Sequence, residues 1–304
     1  MASNARSRSV RYVFISILAV LAIAVGFSGD KFLPITVDEG PVAKTAATPS
    51  PTPKATNPKT ETTKDPLASD PAPPLLSSGD LRKVTPVIAA QQAKANKLMK
   101  RWWSENGAGT TDEGFVSWAA AQLPAEPTTL QRQTEKGTVK QLKASRDAAG
   151  NRAADWLNTH GCQDVWMSFT SQQFALRSTT DDEPSNAEVK TVLKLASDVA
   201  SAAQDRSGSP AASQPKPCSG ATKPARSDCS CSYPSSQATM SAAARTYLGK
   251  LSPYRYDQYA WMESQVDLAG LYAGLELPSD VASGALLGDL VGQYVLVTRK
   301  HAQP

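Results

Sequence analysis

Cys231-Ser232-Tyr233-Pro234-Ser235-Ser236-Gln237-Ala238-Thr239-Met240-Ser241-Ala242-Ala243-Ala244-Arg245-Thr246-Tyr247-Leu248 is the stretch on which the reading of the fold turns. Ser235 is an N-cap residue type placed just ahead of a run of small residues, so the stretch reads as the entry to a helix. That helix is expected near residues 236–251, and two more follow near 254–275 and 279–298. Nowhere does the chain sustain the period-2 alternation of a half-buried strand. The expected fold class is all-α, a helical bundle.

Working outward, the segments before this stretch also carry helical periodicity. Leu81 to Trp103 spaces Val84, Val87, Ile88, Ala95, Leu98 and Trp102 along one face, and Gly107 to Thr111 ends it. Gly114 to Leu123 is short and amphipathic, stopped by Pro124 and Pro127. Glu135 to Asn158 reads as one helix rich in Ala, Lys and Leu, and Gln163 to Arg177 follows the break at Gly161-Cys162. Ser185 to Gln204 opens on a capping box, Ser185 with Glu188 three residues later. Residues 205–233 are rich in Ser, Pro, Gly, Lys and Cys and read as a long irregular loop.

The N-terminus has a different character. Arg6, Arg8 and Arg11 precede an apolar run from Val13 to Phe27, a basic region and core that fit a secretory signal peptide or a membrane anchor over residues 1–30. Residues 31–80 read as a disordered Pro/Ser/Thr-rich linker, too poor in large apolar groups to offset the entropy of ordering. The folded domain is expected over residues 81–304, outside the cytoplasm, with the membrane as a partner through the N-terminal segment. The four cysteines, Cys162, Cys218, Cys229 and Cys231, are an even number in an exported chain and are disulfide candidates, with three pairings open. Zinc is the weaker reading, because neither His160 nor His301 stands at ligand spacing from the C-x-C pair. No metal and no cofactor is expected. Lys+Arg 32 against Asp+Glu 28 is a mild, dispersed excess, and no basic block alternates with aromatics, which argues against nucleic acid as a partner.

The stretch from Cys231 to Leu248 resembles the central motif S-Y-P-S-G-H-A-T of the type 2 phosphatidic acid phosphatases and vanadium haloperoxidases, and most closely their secreted bacterial acid phosphatase branch. Downstream, Gly274-Leu-Glu-Leu-Pro-Ser-Asp-Val281 is similar to that family's G-x-H-x-P-S-D-V, in the same order and at family-like spacing. The resemblance spans residue 230 to the end and implies a bundle of the acid phosphatase type. It also implies a site in which basic residues and helix N-terminal N–H groups hold phosphate, one histidine protonates the leaving group, and a second, oriented by Asp280, attacks phosphorus.

This chain departs from that pattern at most of the positions that carry the chemistry. The acid histidine position is Gln237 and the preceding glycine is Ser236; in the family's S-R-x5-H-x3-D, the nucleophile histidine falls on Glu276 and the Ser-Arg pair on Ala269-Gly270. The family also carries K-x6-R-P ahead of these motifs; Lys216-Pro217 is the best match for its Arg-Pro, which puts Ser209 at its lysine. Losing a general acid costs about 10²–10⁴ in rate. A carboxylate at 276 adds negative charge where phosphate would bind, and Gly270 removes a bidentate contact. Ser235, Ser236, Gln237 and Lys216 remain candidate anion-binding groups at a helix N-terminus, for phosphate or another small anion. Asp280 reads as an acidic first-turn residue rather than a catalytic orienter. Glu276 is expected to pair with Lys216 or Arg245. The expected function is therefore an exported, membrane-tethered, acid-phosphatase-like protein without catalysis, acting by binding or structure, with no protein partner named. The alternative from the enzyme class is a phosphatase of altered mechanism acting on phosphomonoesters or lipid phosphates.

Overall fold

The computed structural model describes residues 65–107, 109–176, 185–207 and 233–300, without the side chains of 172–176 and 300. The chain divides into two units, residues 1–59 and 60–304, and all the described residues belong to the second. The N-terminal apolar run, most of the linker, Ser209, Lys216, Cys218, Cys229 and Cys231 lie outside the described residues.

Among the described residues the secondary structure is entirely helical. In chain order the helices are α1 (Ser78–Leu81), α2 (Thr85–Asn106), α3 (Asp112–Ala120), α4 (Thr129–Ala144), α5 (Ala148–His160), α6 (Asp164–Leu176), α7 (Asn186–Arg206), α8 (Ser236–Leu251), α9 (Tyr256–Ala273) and α10 (Pro278–Lys300), with a 3-10 turn at Pro253–Arg255 ahead of α9. The capping box at Ser185 and Glu188 forms at the start of α7. The periodicity from Glu135 to Asn158 suggests one helix, but the structure breaks it at Ser145–Asp147. There the Asp147 carboxylate accepts the Gly150 N–H at 2.6 Å and starts α5 afresh, so a local cap overrides a continuous apolar stripe. α4 also begins six residues earlier than that periodicity suggests, at Thr129, because Thr128 caps it through the Gln131 N–H.

α8 is the axis of the bundle. All of its residues except Thr246, Lys250 and Leu251 are buried, and it packs against α7, α9 and α10. Its closest neighbour is α10, which runs parallel to it. Gly284, Gly288 and Gly292 face α8 so tightly that a Cβ at each would stand 2.4 Å from the Ser235 carbonyl, 2.2 Å from the Thr239 carbonyl and 2.6 Å from Thr246 Cβ. Small residues on both helices therefore let the backbones meet without intervening side chains. α10 is long and apolar enough to cross a membrane by length and composition, with mean hydropathy 1.4, yet 78% of that window is buried inside the fold. Its apolar character is that of a core helix.

The remaining helices wrap this core. Trp102 and Phe115 pack with Trp118 and Tyr294 in an aromatic cluster, while Trp103, on the next face of α2, stacks on Tyr294 at the edge. Residues 65–80, at the end of the segment read as linker, are part of the fold. Leu76 is buried, and the Gln265 side chain both accepts its N–H and donates to its carbonyl, at 3.0 and 2.8 Å. The His160 ring nitrogens lie 3.0 and 2.9 Å from Asp70 and Asp164, which pins the same segment to α5 and α6. Cys162, buried between α5 and α6, is disulfide-bonded.

Two glycine substitutions separate packing from propensity. Gly288→Val, forced against the Thr239 carbonyl, is expected to lower unfolding free energy by about 3 kcal/mol or more. Gly137→Ala, at an open position within α4, is expected to raise it by about 0.5–1 kcal/mol. Urea denaturation of both variants followed by circular dichroism reads the two signs directly.

Candidate functional site

The motif positions do come together. The N-termini of α8 and α10 meet at one end of their shared seam, where the Ser235 N–H donates to the Asp280 carbonyl at 3.0 Å. Ser235 caps α8 by accepting the Ala238 N–H at 3.0 Å. Ser236 and Gln237 follow in the first turn, and both are buried. Gln237 reaches back across α9, its amide donating to the Val266 carbonyl at 3.3 Å and to Asn158 Oδ1 at 3.4 Å. The Gln204 amide donates to Ser236 Oγ at 3.0 Å and to the Pro234 carbonyl at 2.9 Å. These groups are occupied by the protein itself.

Glu276 fills the middle of the arrangement. α9 ends at Gly274, whose φ of 73° is the left-handed conformation that glycine adopts without a steric penalty. The chain then turns back, with the Leu275 and Glu276 N–H groups both donating to the Gly270 carbonyl at 3.0 and 3.3 Å. This places the Glu276 carboxyl over Gly270, where a Cβ would stand 2.6 Å from Oε2. Its Oε1 accepts the Ser235 hydroxyl. Burial pushes the Glu276 carboxyl up to about 8, against the Ser235 hydrogen bond, which works to lower it. At neutral pH the group therefore keeps its proton.

Two expectations from the sequence change here. Glu276 pairs with the Ser235 hydroxyl and not with Arg245, and Lys216 lies outside the described residues. Nor does Glu276 bring negative charge to the α8 N-terminus at neutral pH, because desolvation outweighs the gain from ionising. What fills the space is a neutral carboxyl group.

Asp280 is a helix-start residue. It stands in the first turn of α10 and accepts the Leu277 N–H at 2.8 Å, the back-reaching half of a capping box. A partner absent from the sequence reading holds it from outside: Arg132 on α4 pairs with Asp280 and lies over the Tyr233 ring at 5.5 Å. Burial raises Asp280, and the Leu277 N–H and the Arg132 guanidinium offset part of that rise. No sequence signal could have joined Arg132 to Asp280, since 148 residues separate them.

A second group of buried charges lies farther along α8, and the sequence reading names only one of its members. Arg245 is held by both Glu263 oxygens at 2.7 and 3.2 Å, by Asp289 at 2.8 Å and by Thr246 at 2.8 Å. Burial works to lower this guanidinium, but Glu263 and Asp289 hold it above its ordinary value. Asp267, one helical turn beyond Glu263, is fully buried, and neither of its oxygens has a hydrogen-bond partner. Desolvation first, then Glu263 and Glu276, push it well above the usual carboxylate range. Glu263 and Asp267 at i,i+4 on an apolar helix are the signal that could have located this cluster. Among the described residues, no group of three or more His, Cys, Asp or Glu side chains converges as a metal ion would require.

No protein-family model, no curated protein and no solved structure matches the chain.

The raised carboxyls set the sign of a pH dependence. Glu276 ionises near 4.5 when exposed and near 8 when folded, so the folded state binds the extra proton between those values. Its contribution to stability is complete below about 4.5 and is lost as pH rises through about 8, with a slope of about 1.4 kcal/mol per pH unit. Glu276→Gln keeps an acceptor for Ser235 and carries no charge. Urea titrations from pH 5 to 8 should show this variant losing stability less steeply than the parent and standing above it at pH 8.

Proposed function

We propose that the chain is a non-catalytic relative of the bacterial acid phosphatases, with a helical bundle of their type, exported and held at a membrane by its N-terminal segment, acting through binding or structure. The observation that carries the reading is the protein-filled meeting point of the α8 and α10 N-termini. Gln237 and Glu276, at the positions where the resemblance implies histidines, are both buried and hydrogen-bonded to the protein. Neither lines a described cavity.

Phosphoryl transfer through such a site needs a nucleophile, a proton donor and room for a phosphate. Gln237 is not an acid, and a protonated Glu276 carboxyl buried over Gly270 is a poor nucleophile without access to substrate. The histidine among the described residues, His160, is engaged by Asp70 and Asp164. Export is supported by the disulfide at Cys162, since such bonds persist in oxidising compartments, together with the basic and apolar pattern of residues 6–27.

The test is hydrolysis of 4-nitrophenyl phosphate by the purified full-length chain between pH 4 and 8. The expected outcome is no turnover above that of Glu276→Ala. Turnover that Glu276→Ala abolishes would replace this reading with the phosphatase of altered mechanism.

A further inference from the structure

We propose that the cleft between α2 and α9 is a binding site for a quaternary ammonium ion, its methyl groups against Tyr256 and Trp261 and its charge above the Arg245–Glu263 pair.

The cleft is a cavity of about 290 Å³, at the small end of the roughly 300–1,000 Å³ range of small-ligand sites. α1 and α2 contribute Leu81 and Ile88, α9 contributes Tyr256 and Trp261, and the buried Arg245 and Glu263 form the floor. The aromatic side of the cleft is open to solvent. Of the six tryptophans only Trp261 is exposed, at 42%, and Tyr256 in the same lining is exposed as well. An indole is one of the largest apolar areas a chain can bury, and it is ordinarily covered. Tyr256 is held in place: its ring lies against Gly249 of α8, where a Cβ would stand 2.7 Å from Cδ2, and its hydroxyl accepts the Gln92 amide of α2 at 3.3 Å. One fixed ring and one exposed ring therefore face a charged floor.

The sign of the ligand follows from that floor. Among the described residues, Arg245 and Glu263 are the only charged side chains in the lining. Each Arg245 nitrogen already has a partner in Glu263, Asp289 or Thr246, so no guanidinium fork is free for an anion. Three carboxyl groups, Glu263, Asp267 and Asp289, act on that one guanidinium. The buried atoms around it without a hydrogen-bond partner are both Asp267 oxygens, Asp289 Oδ2 and the Ser241 hydroxyl, and none belongs to a cation. The cluster is short of positive charge, which a cation in the cleft supplies. Arg82, Lys83 and Arg255 stand on adjoining turns, but none lines the cleft. Lys83 pairs with Asp80, and Arg255 turns to Gln258 and to the Phe169 and Tyr259 rings.

The lining also selects a methylated nitrogen. A primary ammonium enters an apolar site at low cost only where acceptors replace its water. Here the Glu263 oxygens are held by Arg245, and the Thr85 and Ser264 hydroxyls donate to the Leu81 and Ala260 carbonyls. A quaternary nitrogen needs no hydrogen bond and is attracted to the faces of Trp and Tyr rings. Gln237 and Glu276 take no part in this cleft, so phosphoester turnover and ammonium binding are separate measurements.

The probe is choline chloride, titrated calorimetrically into the full-length chain, with 3,3-dimethylbutan-1-ol as the uncharged isostere and ethanolamine as the unmethylated one. The expected result is saturable binding at one per chain, weakened by salt and about tenfold tighter than either control. Trp261→Leu keeps apolar bulk but removes the ring, and should weaken binding about fivefold or more. Ala89→Trp blocks the cleft from an exposed position on α2 and should weaken it about tenfold or more. Burial and Glu263 lift the Asp289 carboxyl to about 7 against Arg245 and Thr246, and the Asp267 carboxyl is raised too. A bound cation favours ionised Asp289, so affinity should rise about threefold or more from pH 6 to 8, and Asp289→Asn should flatten that rise. Competition by glycerophosphocholine identifies the source. Displacement of choline makes a lipid-derived headgroup a ligand, and no displacement confines the site to free ammonium solutes. No saturable choline binding, equal affinity for either control, full affinity in either folded variant, or no rise with pH overturns the assignment.

Discussion

The close approach of α8 and α10 is the constraint to which the rest of the structure answers. Three glycines at four-residue spacing on α10 meet carbonyls and small side chains of α8 at distances no Cβ would tolerate. Two helices joined this way cannot slide, because a shift by one residue would drive Val291 or Ala285 into a backbone. Their N-termini are therefore fixed at the same level, with Ser235 bonded to Asp280. The seam also decides where side chains go. Arg245 and Asp289, at the flanks of the contact, are turned toward one another and toward α9.

The cost of this arrangement is a core with ionisable groups in it. Arg245 is stabilised because its nitrogens meet Glu263, Asp289 and Thr246. Removing it would leave those carboxylates buried without compensation, typically worth about 3–5 kcal/mol. Asp267 and Glu276 have no cation in contact among the described residues, and desolvation raises both carboxyls. A dry interior that strengthens a satisfied ion pair also suppresses the ionisation of an unsatisfied acid. The same dryness supports the non-catalytic reading proposed above, since a phosphate dianion arriving there would meet the desolvation penalty that raises Glu276.

Much of the bundle was legible in the sequence, because helices announce themselves through spacing and caps that lie close together in the chain. The capping box at Ser185, the helix entry at Ser235 and the small-residue run of α8 are local features of this kind. The break at Ser145–Asp147 was not legible, since an aspartate in a periodic segment is as readily a surface residue as a cap. The docking of residues 65–80 escaped because their composition is that of a linker, and the Gln265 clamp on Leu76 lies 189 residues away in sequence. At the candidate site, the sequence showed which side chains were present and not how deeply they would be buried. Depth is what turns Glu276 from a negative charge into a neutral filler, so its charge state became readable only from the fold.

Gly270 and Glu276 are sterically coupled. In the pattern implied by the resemblance, a basic side chain stands at position 270 and a histidine at 276. Here the left-handed turn at Gly274 folds residue 276 back over residue 270, and the carboxyl occupies the place where a Cβ at 270 would begin. A long side chain at 270 and the observed Glu276 conformer exclude each other sterically. The absence of the basic group makes room for the carboxyl, and the carboxyl in turn closes the space that an anion would need. Introducing arginine at 270 would displace Glu276 from its Ser235 partner, and with it the contact that joins the α9–α10 turn to the start of α8. The two residues fit each other, which is why the filled state of this end of the bundle is a property of the fold and not of either residue separately.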